Sequence, residues 1–161
     1  MNAFVAVLSR SGSDWMASEV DAVECESITD LADLARDYPG PTRLMLVEQD
    51  DEYAAIVRVD DDDDDPRAFL SDGHAADAYP LAAAIAEDLD EIGEDALSDD
   101  EDAPPAHDSA PFGDAEIVED MGTSPADLLA MCAQEGVLPI DLLVAVCEKA
   151  GCVDQFDQLR A

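Results

Sequence analysis

The chain has 161 residues, 48% of them apolar, and sets 41 acidic side chains against 7 basic ones for a formal charge of −34. A field of that sign repels phosphate backbones and anionic lipid, which argues against direct RNA, DNA or membrane-surface binding. The length suits one ordinary domain, or one small domain with an appendage.

The acidity is spread along the chain rather than gathered in a tail. Residues 1–92 carry −19, residues 93–111 carry −7 and residues 112–161 carry −8. Aspartate outnumbers glutamate 28 to 13, and Lys149 is the single lysine. No apolar run approaches the roughly 18 residues a membrane-spanning helix needs. The opening "MNAFVAVLSRSG" has no basic segment ahead of its apolar part and reads as a strand, not a leader peptide. A cytoplasmic location is therefore expected, with Cys25, Cys132, Cys147 and Cys152 reduced.

"AFVAVLS" (3–9) is a short β-branched and aromatic run closed by the turn signal "RSGSD", and "DWMASEV" (14–20) returns from it as a second strand. From Ser27 the period changes. Ser27 and Asp30 have capping-box spacing, and Leu31, Leu34, Ala35 and Tyr38 then fall on one helical face. "PGP" at 39–41 ends that helix. "RLMLVEQ" (43–49), "YAAIVRV" (53–59) and "RAFLSD" (67–72) read as three more strands. In the middle one, Tyr53, Ala55, Val57 and Val59 share a face and Arg58 lies on the other, which predicts one covered and one wet side. From about 74 to 92, Ala78, Leu81, Ala82, Ile85, Leu89 and Ile92 recur at helical spacing.

"GEDALSDDEDAPPAHDSAP" (93–111) is poor in apolar residues and rich in acids and proline, a composition that cannot offset its ordering entropy. Beyond it the helix punctuation is plain. Ser124 caps, Pro125 opens a helix and Gly136 stops it; Pro139 opens another and Gly151 stops that one. Leu128, Leu129, Cys132, Leu142, Leu143, Val146, Val153, Phe156 and Leu159 form the expected apolar seam. The fold class is therefore α+β: a small, mainly antiparallel sheet with helices on one face (1–92), an acidic disordered linker (93–111), and a short all-α unit (112–161). About 50 residues is marginal for independent folding, so that unit must pair with itself, the first domain or a partner.

Motifs for chemistry are scarce. Cys132, Cys147 and Cys152 lack the close paired spacing of a structural zinc site and sit on apolar helix faces, so they read as buried small hydrophobes. Cys25 lies between Glu24 and Glu26, which disfavours its thiolate. The run Asp60, Asp61, Asp62, Asp63, Asp64, Asp65 precedes Pro66 and Arg67 in a hairpin connection. It lacks the alternating ligands, the glycine and the distal glutamate of a calcium loop. A solvated, self-repelling loop that also protects the sheet edge from aggregation is the plain reading; a surface for a basic partner, comprising these aspartates and Arg67, is the functional one. His74, near a helix start, has the chemistry of a general base but reads as an exposed turn residue, and His107 falls in the linker. No nucleophile elbow or phosphate loop is present, so neither a catalytic residue nor a cofactor is assigned.

Three stretches in this order, "DLADLAR" (30–36), "DPRAFLSD" (65–72) and "DAEIVEDMG" (114–122), carry a resemblance. Together with the strand ending near Trp15, they make the chain similar, over nearly its whole length, to the actinobacterial tRNA adenosine deaminase-associated proteins. That resemblance implies association with a tRNA-modifying enzyme and supplies no functional residues. The zinc signature H-x-E…P-C-x-x-C is missing, so the chain is not itself the deaminase.

The expected function is that of a non-enzymatic accessory or regulatory protein whose acidic surface docks on a basic protein, tRNA adenosine deaminase being the candidate. The alternatives are a halophile-adapted domain, whose charge speaks of salt rather than partners, and a small enzyme using His74. Salt separates the first two. If the charge acts by ordinary self-repulsion, thermal unfolding shifts upward mostly as ionic strength rises to about 0.15 M, where the Debye length is about 8 Å. A halophilic fold would form only above about 1 M, far past that screening range.

Overall fold

The computed structural model describes residues 4–12, 14–20, 25, 27–38, 40–49, 51–61, 66–71, 79–85, 112–113, 116–133 and 138–160. The linker at 93–111 and both histidines lie outside them. Strands β1 (Phe4–Ser11) and β2 (Asp14–Val20) form a hairpin, with Gly12 at φ +67° in its turn. Helix α1 (Ile28–Arg36) follows, and the Ser27 hydroxyl accepts the Asp30 backbone N–H at 3.2 Å, as the cap spacing predicts. Strands β3 (Thr42–Gln49), β4 (Tyr53–Asp60) and β5 (Arg67–Leu70) then pair as antiparallel neighbours. A helical segment, α2, covers 80–85.

Strand order is β2-β1-β3-β4-β5-β6, with β6 (Phe112–Gly113) a two-residue strand on the outer edge of β5. Because β2 and β3 flank β1, the connection through α1 must cross one face of the sheet. That crossing lays Ile28, Leu31, Ala32 and Ala35 over Val5, Val7, Met45, Val47 and Val57. Tyr53 and Ala55 share this face with Ala82 and Ile85 of α2, so the helices of the first 92 residues do lie on one side.

The other side departs from the expected wet surface. After β6 the chain makes a single 3-10 turn at Glu119–Met121, then α3 (Pro125–Ala133), α4 (Pro139–Ala150) and α5 (Val153–Arg160). Leu142, Leu143, Val146 and Phe156 from these helices bury themselves against Leu8, Leu44, Leu46, Ile56 and Phe69. The reason lies in composition: "LMLV" in β3 and "AAIV" in β4 are apolar on both faces, the signature of a strand buried on two sides. A lone arginine at 58 is weak ground for a solvated face, and Arg58 is itself buried.

The described caps of the C-terminal helices agree with the sequence, while Gly136, the expected end of α3, lies outside the described residues. The Ser124 hydroxyl accepts the Asp127 backbone N–H at 3.1 Å, Asp141 reaches back to the Leu138 N–H at 3.2 Å, and Gly151 closes α4 at φ +91°. One seam residue does not fit: Leu129 is 41% exposed.

Gly40, ahead of β3, sits at φ +114°, and a Cβ there would collide with the Arg10 carbonyl oxygen of the neighbouring strand. Gly12 is also left-handed, but a Cβ there would meet open space. Gly12→Ala is therefore expected to cost about 1 kcal/mol from backbone strain. Gly40→Ala should cost clearly more, since β1 must also shift; urea unfolding of the two variants measures the difference.

Candidate functional site

The arginines gather where β1, β3, β4 and β5 end near the aspartate run. Register places Arg10 opposite Trp15 and Thr42, Thr42 opposite Asp60, and Arg58 opposite Arg67. Side-chain alternation then puts Arg10, Arg58 and Asp60 on the face covered by the C-terminal helices. Arg43 projects the opposite way.

Arg58 is the centre of this cluster. Its side chain is 7% exposed, and a guanidinium so placed needs its donors filled. Nε donates to both Asp60 carboxylate oxygens, at 3.0 and 3.2 Å. Nη1 donates to Asp120 Oδ1 at 2.6 Å and to the Ile117 carbonyl at 2.8 Å, while Nη2 donates to Asp120 Oδ2 at 2.8 Å. The contact with Asp120 is thus bidentate, the geometry that suits arginine and not lysine. It joins β4 to the 3-10 turn across more than 60 residues of chain.

Electrostatics follow from this geometry. Hydrogen bonding to Asp120 raises the Arg58 pKa further, outweighing the opposing effect of burial, with the Asp60 and Asp120 charges adding to it. Hydrogen bonding from Arg58 holds the Asp120 carboxyl below the ordinary aspartate value of 3.8; the charges of Arg58 and, more weakly, Arg10 act the same way. Arg10 itself lies 5.5 Å from the Trp15 ring centroid in a cation–π contact. Arg43 donates through Nε to the Tyr38 carbonyl at 2.8 Å and through Nη1 to Asp61 at 2.7 Å.

The residues expected at the partner surface fare differently. Asp60 is 20% exposed and engaged by Arg58; Asp61 is 58% exposed and engaged by Arg43. Arg67 opens β5 and has an interaction of its own. Asp62, Asp63, Asp64 and Asp65 lie outside the described residues, as does His74. The first two aspartates therefore tie the hairpin to the sheet. Sequence reasoning missed Asp120 as the partner of Arg58. The available signal was an arginine inside an otherwise apolar strand, which a buried position obliges to find a carboxylate.

Two of the four cysteines are set in the core, and Cys25 and Cys132 are half-buried. Cys147 and Cys152 are fully buried, one at the end of α4 and the other just before α5. A hydrogen bond with Cys152 and then burial push the Cys147 thiol far above its ordinary range, which leaves it protonated and unreactive. Among the described residues, no group of three or more His, Cys, Asp or Glu side chains is arranged to hold a metal ion.

The fold and this cluster define an acidic α+β protein whose charged site is an internal ion-pair clamp. The chain belongs to the Rv3753c-like tRNA adenosine deaminase-associated protein family, whose model matches residues 3–153. Neither a curated protein nor a solved structure matches it.

The pair is buried on one side only, Arg58 at 7% exposure and Asp120 at 55%, and leaving the buried partner without its carboxylate carries a cost. Asp120→Ala is expected to destabilise the fold by about 1 kcal/mol, because buried Arg58 loses two acceptors that water on the exposed Asp120 side replaces only in part. In an Arg58→Met background the same change should cost little, and a double-mutant cycle checks this. The gap between wild type and Asp120→Ala also has a pH dependence of defined sign. A depressed folded pKa stabilises above the unfolded value, so the gap is complete above about pH 5. It closes as pH falls from 3.8 through the lower folded value.

Proposed function

We propose that this protein is a non-enzymatic accessory factor that binds a basic protein, tRNA adenosine deaminase, through its acidic surface and regulates it. The family description supports the association with that enzyme. Charge supports the mode: pairing every one of the 7 Lys and Arg residues would still leave 34 acids without a cation. Three of the arginines are tied down within the molecule, Arg43 on Asp61, Arg58 on Asp60 and Asp120, and Arg10 over Trp15. They are therefore poorly placed to blunt the outward field. A tRNA-modifying enzyme must present cationic groups to hold phosphates, and a folded polyanion is complementary to such a groove.

Competition is the natural consequence. Opposite fields accelerate encounter and make affinity fall with salt, and a polyanion seated at the groove opposes tRNA entry. Titration of the protein into purified deaminase with a tRNA substrate tests this. Binding should weaken steeply between about 0.05 and 0.2 M salt, with inosine yield changing as the protein is added. If neither tRNA binding nor inosine yield moves at any salt concentration, the reading is wrong.

A further inference from the structure

Helix α3 turns little charge outward; of the three exposed large apolar side chains among the described residues, Met16 lies on β2, and Leu129 and Leu138 lie on α3 and at the start of α4. In this chain 41 of 161 residues are acidic, and helices α1, α4 and α5 turn charge toward solvent: Asp30 and Asp33 from α1, Glu148 and Lys149 from α4, Asp154 and Asp157 from α5. The nine residues of α3, "PADLLAMCA", contain one charge, Asp127. Its core-facing side is accounted for by Leu128, fully buried, and by Met131 and Cys132, partly buried against the same cluster. Its solvent side shows Ala126, Leu129 and Ala130, with Leu129 41% exposed. Leu138, at the start of the following helix, is 47% exposed. A helix apolar all round is normally covered all round, and an exposed apolar face rimmed by charge marks an interaction site.

We infer that the outer face of α3, with Leu129 as its anchor and Leu138 beside the start of α4, receives a basic amphipathic helix of a partner protein. This deepens the function proposed above and rests on it for the sign of the partner's charge. A second copy of the chain is a poor occupant, since it brings another −34 to the contact. The acidic stretch at 93–111 is poor for the same reason, carrying −7 and few apolar side chains. Asp127 and Asp141, both exposed in the first turns of α3 and α4, instead supply acceptors for lysine or arginine. Helical spacing of Ala126, Leu129 and Ala130 offers a shallow groove between small residues into which the i, i+3, i+4 side chains of another helix fit. An added strand is disfavoured, because α3 offers no unpaired backbone edge.

The test uses the full chain and two synthetic peptides at about 0.15 M salt. One is a leucine–lysine peptide with its leucines on one helical face; the other has the same composition with the leucines scattered. Wild type should bind the first about tenfold more tightly, the difference one apolar anchor makes. Leu129→Gln combined with Leu138→Gln, which keeps the charge constant, should remove that preference without altering the thermal midpoint. Ala130→Arg should weaken the same peptide by charge alone. Equal binding of the two peptides, or a preference that survives in the double variant, overturns the inference, as does light scattering that shows a dimer dissolved by Leu129→Gln. A parallel titration with purified tRNA adenosine deaminase separates the two readings. Salt-sensitive deaminase binding with no peptide preference leaves the acidic docking standing and overturns this face. A peptide preference lost in the double variant, with no deaminase binding, supports the face and overturns the choice of enzyme.

Discussion

A sheet whose strands are apolar on both faces cannot leave either face to water, and that constraint organises the molecule. On one side α1 and α2 cover Val5, Val7, Met45, Val47 and Val57. On the other, the cover for Leu8, Leu44, Leu46, Ile56 and Phe69 is brought back by the C-terminal helices. Each large aliphatic or aromatic side chain buried there contributes about 1.5–3 kcal/mol of transfer free energy. Leu142, Leu143, Val146 and Phe156 together outweigh any single ion pair in the structure. Burial therefore holds the C-terminal unit on the sheet, and the Arg58–Asp120 clamp decides where it sits.

That division of labour explains why an expensive group is kept in an apolar strand. A bidentate arginine–carboxylate pair has one good geometry, whereas an apolar seam tolerates slippage. Arg58 also bonds the Ile117 carbonyl and Asp60, so the 3-10 turn, the end of β4 and the entry to the hairpin share one fixed point. Gly122, at φ +108°, lets the chain turn close over Lys149 directly after the clamp. The orientation of α3, and with it the exposure of Leu129, follows from these neighbours.

Local signals made most of the elements legible. Period-2 and period-3.6 patterns, the Ser27 and Ser124 caps, Pro139 and Gly151 locate β1 to β5, α1, the start of α3 and both ends of α4 within a residue or two, whereas the two-residue β6 carries no such signal. The second covered face was harder to read because it depends on pairing between segments more than 60 residues apart, which no local period encodes. Arg58 misled for a related reason. In one dimension an arginine among valines resembles a solvent-facing residue, and its carboxylate partner is distant in sequence. The aspartate run held the reverse lesson: Asp60 and Asp61 look like the start of a free polyanion, but arginines two and eighteen residues earlier claim them. Leu129 failed as a seam residue because it lies about 100° around the helix from Leu128, on the side of α3 that faces away from the cluster, whereas Leu142 and Leu143 of α4 are both buried in it.

Charge and core oppose one another here, and a partner would change that balance. Self-repulsion among 41 acids weakens the compact state, and the two-sided core must exceed it. A bound cationic surface relieves some of that repulsion while making its own contacts. Binding and folding are then linked, since a ligand that binds the native state stabilises it in proportion to affinity and concentration. The linkage is uneven across the molecule. The proposed contact surfaces, the charged ends and the α3 face, would gain most from a partner, whereas the interior built around Val57, Ile56 and Phe69 is already buried. A polyanion of this design gains stability from any cationic surface that binds its native state.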